Sequence, residues 1–368
     1  MEVPFLDLSA MHAELESELI DATRRVIARS SFILGPELEA FESEFARYSG
    51  VKHCIGVGNG FDALQLVLRA WGVGAGDEVL VPSQTAVATW MAVSEAGATP
   101  VPVDIDAVTF TLDPGLLEAA VSERCRAIIP VHLYGHPADM APIKEFAGRH
   151  ALLVLEDAAQ GHGARYAGAR CGSIGHAAAV SFYPTKNLGA LGDGGAVLTS
   201  DDELALAVRK LRNYGSATKN LHESVGINSR LDELQAAFLR VKLNHLDRWI
   251  GQRRELARLY SEQLAGIEEL RLPEEREGCV HAYHLYAVRT PNRDRLARGL
   301  AERKVQTLVH YPHTPRGNPV YRDLPISTRA TPVGDALARE ALSLPLWPHM
   351  GARRVEFVCA AIHEVLGL

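Results

Sequence analysis

The stretch HCIGVGNGFDALQLVLRAWGVGAGDEVLVPSQTAVATWMAVSEAGATPVPVDI, residues 53–105, alternates short apolar runs with amphipathic segments. The pattern continues through RAIIPVHLYG (126–135) and LLVLEDAA (152–159). Short apolar runs that alternate with segments of helical periodicity are typical of βαβ units. The sequence therefore predicts an α/β fold with a largely parallel sheet flanked by helices.

Later segments predict how the chain is divided into domains. Two apolar runs, 177–185 and 195–200, follow each other with only a glycine-rich connection between them, and residues 231–264 show one long helical pattern. We expect an N-terminal helical segment (1–30), a large domain (31–245), and a long bridging helix with a small C-terminal α/β domain (246–368).

Composition excludes several functional classes. The chain has 368 residues, 47% of them hydrophobic, and a net charge of −7 without long blocks of like charge, which argues against a nucleic-acid partner. No apolar run approaches the length of a membrane span, so we expect a cytoplasmic protein without membrane contact. Five cysteines without a CxxC pair argue against disulfides and a structural zinc, and we expect no metal.

Polar residues follow three of the apolar runs, at the sheet edge where ligands bind in open α/β folds. The first group is Gly58-Asn59-Gly60, where free amides at a helix N-terminus suit a phosphate. With Ala63 these glycines also match the dinucleotide fingerprint, but no acidic residue ends the next strand. A nicotinamide site and a glycine turn without a ligand remain alternatives.

The second group contains Glu156 and Asp157. Successive strand residues face opposite sides, so only one of the two carboxylates can point into a given cleft. Asp157, the last residue of the run, is the better candidate for a cleft carboxylate, although a helix cap or turn is the alternative.

The third group centres on Lys186, in SFYPTKNLGALGDGG (181–195). Apolar residues precede this lysine, and the glycines that follow let backbone approach closely. Burial lowers a lysine pKa toward a nucleophilic amine that forms a Schiff base with a carbonyl. A phosphate site, a carboxylate and such a lysine at one sheet edge are the set that pyridoxal 5'-phosphate (PLP) requires.

The chain resembles the DegT/DnrJ/EryC1/StrS family of PLP-dependent sugar aminotransferases, which have fold type I. The resemblance is closest to the branch that makes dTDP-3-amino-3,6-dideoxyhexoses. It rests on GVGNGFDALQL (56–66), PVHLYGHPADM (130–140), EDAAQGHGARYAG (156–168), SFYPTKNLGALGDGGAV (181–197), LRNYGS (211–216) and NSRLDELQAAFLRVKL (228–243).

The resemblance implies roles for individual residues. Lys186 is expected to form the Schiff base and to move the proton between cofactor and substrate. Asp157 is expected at the pyridine nitrogen and Gln160 at the phenolic oxygen. The phosphate is expected to be bound by the residues Gly60, Phe61 and Ser181, joined by Asn228 of the neighbouring subunit in a homodimer with shared active sites.

Substrate contacts are less clearly marked. The resemblance places Lys219 and Arg230 near substrate phosphates or the glutamate carboxylate, although each is equally readable as a solvated charge. His310 and Tyr311 resemble a sugar-side loop, with plain packing as the alternative. The family also usually has an aromatic residue that stacks on the pyridine ring where this chain has Ala86. Either Trp90 replaces it, or the ring is held more loosely.

The implied reaction is transfer of the amino group of L-glutamate to the C3 keto group of a dTDP-linked 3-keto-6-deoxyhexose. Relatives that replace the lysine by histidine are dehydratases, so Lys186 favours transamination. Action at C4 of the hexose, action on a cyclitol ketone, and a PLP-binding sensor without catalytic activity remain alternatives.

Overall fold

The computed structural model describes residues 1–218, 220–321, 326 and 329–368. Within these ranges the main sheet has seven strands in the order β1-β9-β8-β5-β4-β2-β3. The pairs from β8 to β3 are parallel, and β9 is antiparallel to both β8 and β1. The predicted mostly parallel α/β sheet is thus confirmed.

The strands of the main sheet are five residues long or shorter: β1 (His53–Val57), β2 (Glu78–Pro82), β3 (Thr99–Val103), β4 (Cys125–Ile128), β5 (Leu153–Asp157), β8 (Ala177–Ser181) and β9 (Gly195–Thr199). Minor strands form small separate ladders: β6 (Arg165–Tyr166), β7 (Ala169–Arg170), β10 (Ser216–Thr218), β11 (Leu221–His222), β12 (Cys279–Val280), β13 (Tyr286–Arg289) and β14 (Ala341–Leu344).

Helices cover both faces of the sheet and build the C-terminal region. Those before residue 245 are α1 (Ser9–Arg29), α2 (Pro36–Ser49), α3 (Gly60–Ala70), α4 (Val87–Glu95), α5 (Leu117–Ala120), α6 (Met140–Arg149), α7 (Asp202–Leu211) and α8 (Glu233–Leu243). The later ones are α9 (Leu246–Leu264), α10 (Arg293–Glu302), α11 (Pro332–Glu340) and α12 (Ala352–Leu366).

Alternation along the strands explains how both faces of the sheet become buried. Ile55 and Val57 of β1 pack with helices α3, α4 and α7, whereas Cys54, which precedes them, packs with α2, α8 and α9. A separate apolar core joins the end of α9 to β13, β14, α10 and α12. Val3 also belongs to this second core and bridges to Val305, so the N-terminal residues contact the C-terminal region.

The prediction of one helix over 231–264 is wrong. The helix breaks at Asn244 and His245, and the amide of His245 donates instead to the carbonyl of Lys242, at 3.0 Å. The two helices on either side of the break pack against different partners. Helix α8 packs against α1 and α2, and α9 packs against α12. A single straight helix would not serve both surfaces. The predicted domain limits at residues 30 and 245 stay predictions.

Across the described ranges, none of the helices is both long and apolar enough to cross a lipid bilayer. Within the same ranges, no group of three or more His, Cys, Asp or Glu side chains is arranged to hold a metal ion.

Candidate active site

A cavity of about 510 Å³ opens at the carboxyl ends of the central strands, and we call it the Lys186 cavity. Its lining comes from strand ends and from the loops and helices that follow them: Gly60, Phe61, Leu64, Thr85, Ala86, Ala88, Val131, Asp157, Ala159, Gln160, Ser181 and Lys186. Residues predicted from three separate strand ends therefore meet in one place.

The N-terminus of α3 forms one wall of the cavity. Asn59 caps the helix by accepting from the amide of Asp62 at 2.8 Å. The amides of Gly60 and Phe61 donate to no other described residue, as the first turn of a helix requires. A Cβ atom on Gly60 would lie 2.7 Å from Cβ of Ser181, so glycine allows the helix start and the end of β8 to approach closely. Two amides and the Ser181 hydroxyl thus border one anion-sized space.

Glu156 and Asp157 point to opposite sides of β5, as predicted. Glu156 accepts from His132 and from the backbone amides of residues 172, 174 and 175 at 2.6–2.8 Å, on the side away from the cavity. These contacts outweigh the effect of burial and lower the pKa of Glu156. Asp157 lines the cavity, is 6% exposed, and accepts from the Thr89 hydroxyl at 2.8 Å. Glu156 therefore anchors the strand that presents Asp157.

Lys186 lies in the loop between β8 and β9, with its amide donating to the carbonyl of Tyr183 at 2.8 Å. The residue is half-buried and lines the cavity. Burial lowers the pKa of Lys186 to about 8, an effect that the nearby Asp157 carboxylate partly opposes. The structure therefore supplies the desolvated lysine that the sequence predicted.

The glycines of this loop allow close backbone contacts. A Cβ atom on Gly189 would lie 2.3 Å from the carbonyl oxygen of Pro184, and one on Gly195 would lie 2.3 Å from the backbone of Asn59. The carbonyl of Gly189 also accepts from Nζ of Lys242 at 2.8 Å. The loop is consequently held in one conformation around Lys186.

Gln160 is oriented by hydrogen bonds at both ends of its amide. Its Oε1 accepts from the amide of Tyr134 at 2.6 Å, and its Nε2 donates to the hydroxyl of Tyr311 at 3.1 Å. Burial and the Asp157 charge raise the pKa of Tyr311 to about 12. The structure thereby brings Tyr311 beside Gln160, at the edge of the cavity.

Other predicted residues lie elsewhere in this chain. Asn228 is exposed and Arg230 donates to the side chain of Asn213 at 3.0 Å, and neither lines the Lys186 cavity. His310 lines a neighbouring cavity, where its Nδ1 lies 2.9 Å from the Ser343 hydroxyl. Lys219 lies outside the described residues.

Two buried histidines near Lys186 were not predicted as parts of the site. Both ring nitrogens of His162 and Nδ1 of His284 lack a hydrogen-bond partner among the described residues. Burial, then the charge of Lys186, lowers the pKa of His162 to about 3, and the same causes lower that of His284. The ring of His162 lies 5.9 Å from that of Phe182.

The expected replacement of the stacking aromatic residue by Trp90 is also wrong. Trp90 is fully buried, its Nε1 donates to the carbonyl of Pro82 at 3.0 Å, and its ring contacts Tyr321. Ala86 lines the cavity with no aromatic side chain in its place. The space that a stacking ring would fill is left open.

The donor set fits the cofactor that the sequence implies. Free amides and a hydroxyl suit its phosphate, the Asp157 carboxylate suits a protonated ring nitrogen, and a lysine of lowered pKa suits its aldehyde. The cradle depends on Gly60, because any side chain there would collide with Ser181. PLP is therefore compatible with the residues present.

We expect Ala86→Phe to bind PLP more tightly than the wild type. An aromatic contact contributes about 0.5–1.5 kcal/mol, which corresponds to a dissociation constant lowered about 2- to 13-fold. Fluorescence titration of the apoprotein with PLP measures this constant. Ala86→Leu serves as the control, since it adds apolar volume without a ring, and equal tightening by both variants would contradict stacking.

The capture of PLP is expected to accelerate with rising pH. A lysine with a pKa of about 8 is neutral in about a tenth of molecules at pH 7, against about 0.03% for an ordinary lysine. The rate at which apoprotein takes up PLP should therefore rise through pH 8 and level off above about pH 9. Stopped-flow absorbance at constant ionic strength measures it, and a midpoint near 10.5 would show that burial does not tune Lys186.

Comparison with known proteins identifies the family. Residues 13–363 match the DegT/DnrJ/EryC1/StrS aminotransferase family. The chain is 52% identical over 98% of its length and 99% of the relative to the erythromycin biosynthesis sensory transduction protein EryC1 of Saccharopolyspora erythraea. It is 51% identical to the dTDP-3-amino-3,4,6-trideoxy-alpha-D-glucose transaminase of Streptomyces venezuelae, over 98% of this chain and 96% of that one.

A solved structure gives the same result. The crystal structure of S. venezuelae DesV in complex with ketimine intermediate matches with a TM-score of 0.96 and 51% identity, over 99% of this chain and 98% of that chain. The fold type I architecture, the dependence on PLP and the aminotransferase activity expected from the sequence are confirmed. The chain belongs to the DegT/DnrJ/EryC1/StrS aminotransferase family.

Proposed function

We propose that this protein transfers the amino group of L-glutamate to the C3 keto group of a dTDP-linked 3-keto-6-deoxyhexose. The observation that carries the proposal is the meeting of Lys186, Asp157 and the free amides of α3 in one cavity, in a chain 51% identical to a dTDP-3-amino-sugar transaminase. The proposal extends the family assignment to a particular substrate and a particular carbon.

Different residues of the cavity have different roles in this proposal. The amides of Gly60 and Phe61 and the Ser181 hydroxyl would bind the phosphate. This contact would hold the cofactor beside Lys186. Asp157 keeps a proton on the ring nitrogen, and its hydrogen bond from Thr89 fixes the direction of the carboxylate. With that proton in place, bound PLP supplies an electron sink for negative charge that develops on the substrate carbon.

Lys186 moves the proton of the reaction. Burial favours its neutral amine, which accepts a proton from the carbon of the incoming amino acid and returns one to the carbon of the keto sugar. Gln160 is fixed between Tyr134 and Tyr311 and would contact the phenolic oxygen of the bound cofactor. Because 2-oxoglutarate leaves while the amino group stays on the enzyme until the keto sugar binds, we expect ping-pong kinetics.

A homodimer completes the site in this proposal. Large apolar side chains near Asn228 and the Lys186 loop are exposed: Phe32, Ile33, Leu34, Tyr183, Leu191, Tyr214, Leu221 and Val225. Contiguous exposed apolar side chains are typical of protein interfaces. We propose that a second copy covers them and that Asn228 and Arg230 of each subunit reach the cavity of the other.

Mixing two impaired variants tests the shared site. In a hybrid of Lys186→Ala and Asn228→Ala subunits, one of the two sites carries both native residues. Random exchange should restore about a quarter of the wild-type activity, because half the dimers are hybrids with one intact site each. If Asn228 acts within its own subunit, mixing restores nothing.

The product identifies the reaction. Protein incubated with PLP, L-glutamate and the dTDP-3-keto-6-deoxyhexose should release 2-oxoglutarate and a sugar whose nitrogen is bonded to C3, as assigned by NMR. Nitrogen at C4, or activity only with a cyclitol ketone, would contradict the proposal. A protein that binds PLP but releases no 2-oxoglutarate would favour a sensor, the role in the name of the EryC1 relative.

A further inference from the structure

A second cavity, of about 960 Å³, lies between the Lys186 loop and the C-terminal region. Tyr183 and Thr185, which flank the loop's lysine, form part of its wall, and His284 and His310 form another part. Arg253 of α9 also lines it, and we call it the Arg253 cavity. The position places this cavity next to the reacting amine.

Arg253 is a buried cation without an anionic partner. Its side chain is 3% exposed, and no described carboxylate pairs with it. Its Nη1 donates to the carbonyl of Leu346 at 3.0 Å and, at 3.4 Å, to the carbonyls of Tyr283 and His284. Burial without a counter-ion lowers the pKa of Arg253 to about 10, so the guanidinium stays charged at neutral pH.

The hydrogen bonds leave one edge of the guanidinium free. Nε is buried from solvent and has no acceptor among the described residues, and the hydrogen bonds of this side chain within the described ranges all come from Nη1 rather than Nη2. These two groups form the edge that binds a carboxylate through two parallel hydrogen bonds. A buried charge is costly unless it is paired, so an anion that reaches this edge gains a strong interaction.

The charge of the residues that line the Arg253 cavity favours binding of a single carboxylate over binding of a diphosphate. Burial, then the charge of Lys186, lowers the pKa of His310 to about 4, and the pKa of His284 is lowered as well, so both are neutral at pH 7. Arg253 is then the one permanent charge among the described lining residues of this cavity. It neutralises one negative charge, whereas a diphosphate would retain uncompensated charge against leucine side chains.

We propose that Arg253 binds a carboxylate group of the amino-acid donor and of the keto acid formed from it. The inference deepens the proposed function and rests on it for the identity of the donor. Carbonyl contacts at Nη1 hold the guanidinium in place, while Nη2, which has no acceptor among the described residues, donates to the substrate. The donor's other end then extends along the cavity toward Thr185 and Lys186.

Glutarate tests this site, because it has the carbon chain and carboxylates of glutamate but no amine to transfer. Isothermal titration of the PLP-loaded protein gives its dissociation constant. We expect Arg253→Gln to raise that constant at least about 10-fold, as for the loss of a charge-assisted hydrogen bond. The matched control is Arg254→Gln, since the adjacent arginine already pairs with Glu275, and it should change the constant less than about twofold.

Gln306→Glu provides a second variant if Arg253→Gln does not fold. Gln306 lines the same cavity, is exposed, and accepts from the amide of Phe5 through Oε1, which glutamate preserves. The added negative charge should weaken glutarate binding about 3- to 10-fold, by competing for Arg253 and repelling the ligand. Unchanged glutarate binding in either folded variant overturns the proposal.

Titration with dTDP tests the alternative that Arg253 binds the diphosphate of the sugar nucleotide. Arg253→Gln should leave its dissociation constant unchanged, and loss of dTDP binding with intact glutarate binding overturns the carboxylate assignment. Glutarate binding requires no amino transfer and no sugar. A wild type that binds glutarate through Arg253 but forms no 3-amino sugar would therefore refute the proposed function alone.

Discussion

Lys186→Ala is expected to lower the rate of the glutamate half-reaction by at least about 1,000-fold, since proton transfer by a positioned base alone contributes about 10²–10⁴-fold. The variant also removes the amine that bonds the cofactor. Its visible absorption spectrum with added PLP should match that of free PLP and remain unchanged on addition of glutamate. Single-turnover absorbance measurements compare the variant with the wild type.

Lys144→Ala is the control for this experiment, because Lys144 is an exposed lysine of α6 outside the cavity lining. It should behave as the wild type. If the Lys186→Ala protein reacts with glutamate at a rate comparable to that of the wild type, the role assigned to this lysine is wrong. Lys242→Ala provides a further comparison, since burial lowers the pKa of Lys242 to about 8 as well, but outside the cavity.

Asp157→Asn is expected to lower the rate of amino transfer about 10²- to 10⁴-fold, in the range found for removal of a preorganised charge. The amide keeps the size of the side chain and can still accept from Thr89. It loses the negative charge that keeps the ring nitrogen protonated, so PLP should bind without becoming an effective electron sink. Stopped-flow absorbance with saturating glutamate measures the rate.

Thr89→Val separates this charge from its orientation. It removes one hydrogen bond to Asp157, worth about 1 kcal/mol, and should slow the reaction only about fivefold. If Asp157→Asn slows the reaction no more than Thr89→Val does, the carboxylate acts through its geometry alone. The role assigned to its charge is then wrong.

Much of the fold was predictable because helix and strand periodicities are local. Alternation over residues 53–159 predicted the parallel strands, and the two apolar runs at 177–185 and 195–200 predicted β8 and β9 but not their antiparallel pairing. The break at Asn244 and His245 was not predictable in this way, because the apolar pattern runs through it. Packing against α1 and α2 before the break, and against α12 after it, makes the chain turn.

The site was predictable to the extent that its residues end strands of one sheet. Parallel topology brings Gly60, Asp157, Ser181 and Lys186 to the same edge, so strand ends found in sequence become neighbours in space. The position of Trp90 could not be predicted in this way, because this helical residue, one turn from Ala86, faces the core rather than the cavity. Burial of His162 and His284 likewise depends on residues far away in the chain.

By itself, the sequence determined the α/β class, the family, and the residue types at each strand end, because these depend on local periodicity and motif order. Only the tertiary structure showed that burial lowers the pKa of both Lys186 and Lys242 to about 8, and that a cavity opens at Lys186. Only it showed Arg253 buried without an anion. Desolvation is a property of everything that surrounds a group, and distant segments supply those surroundings.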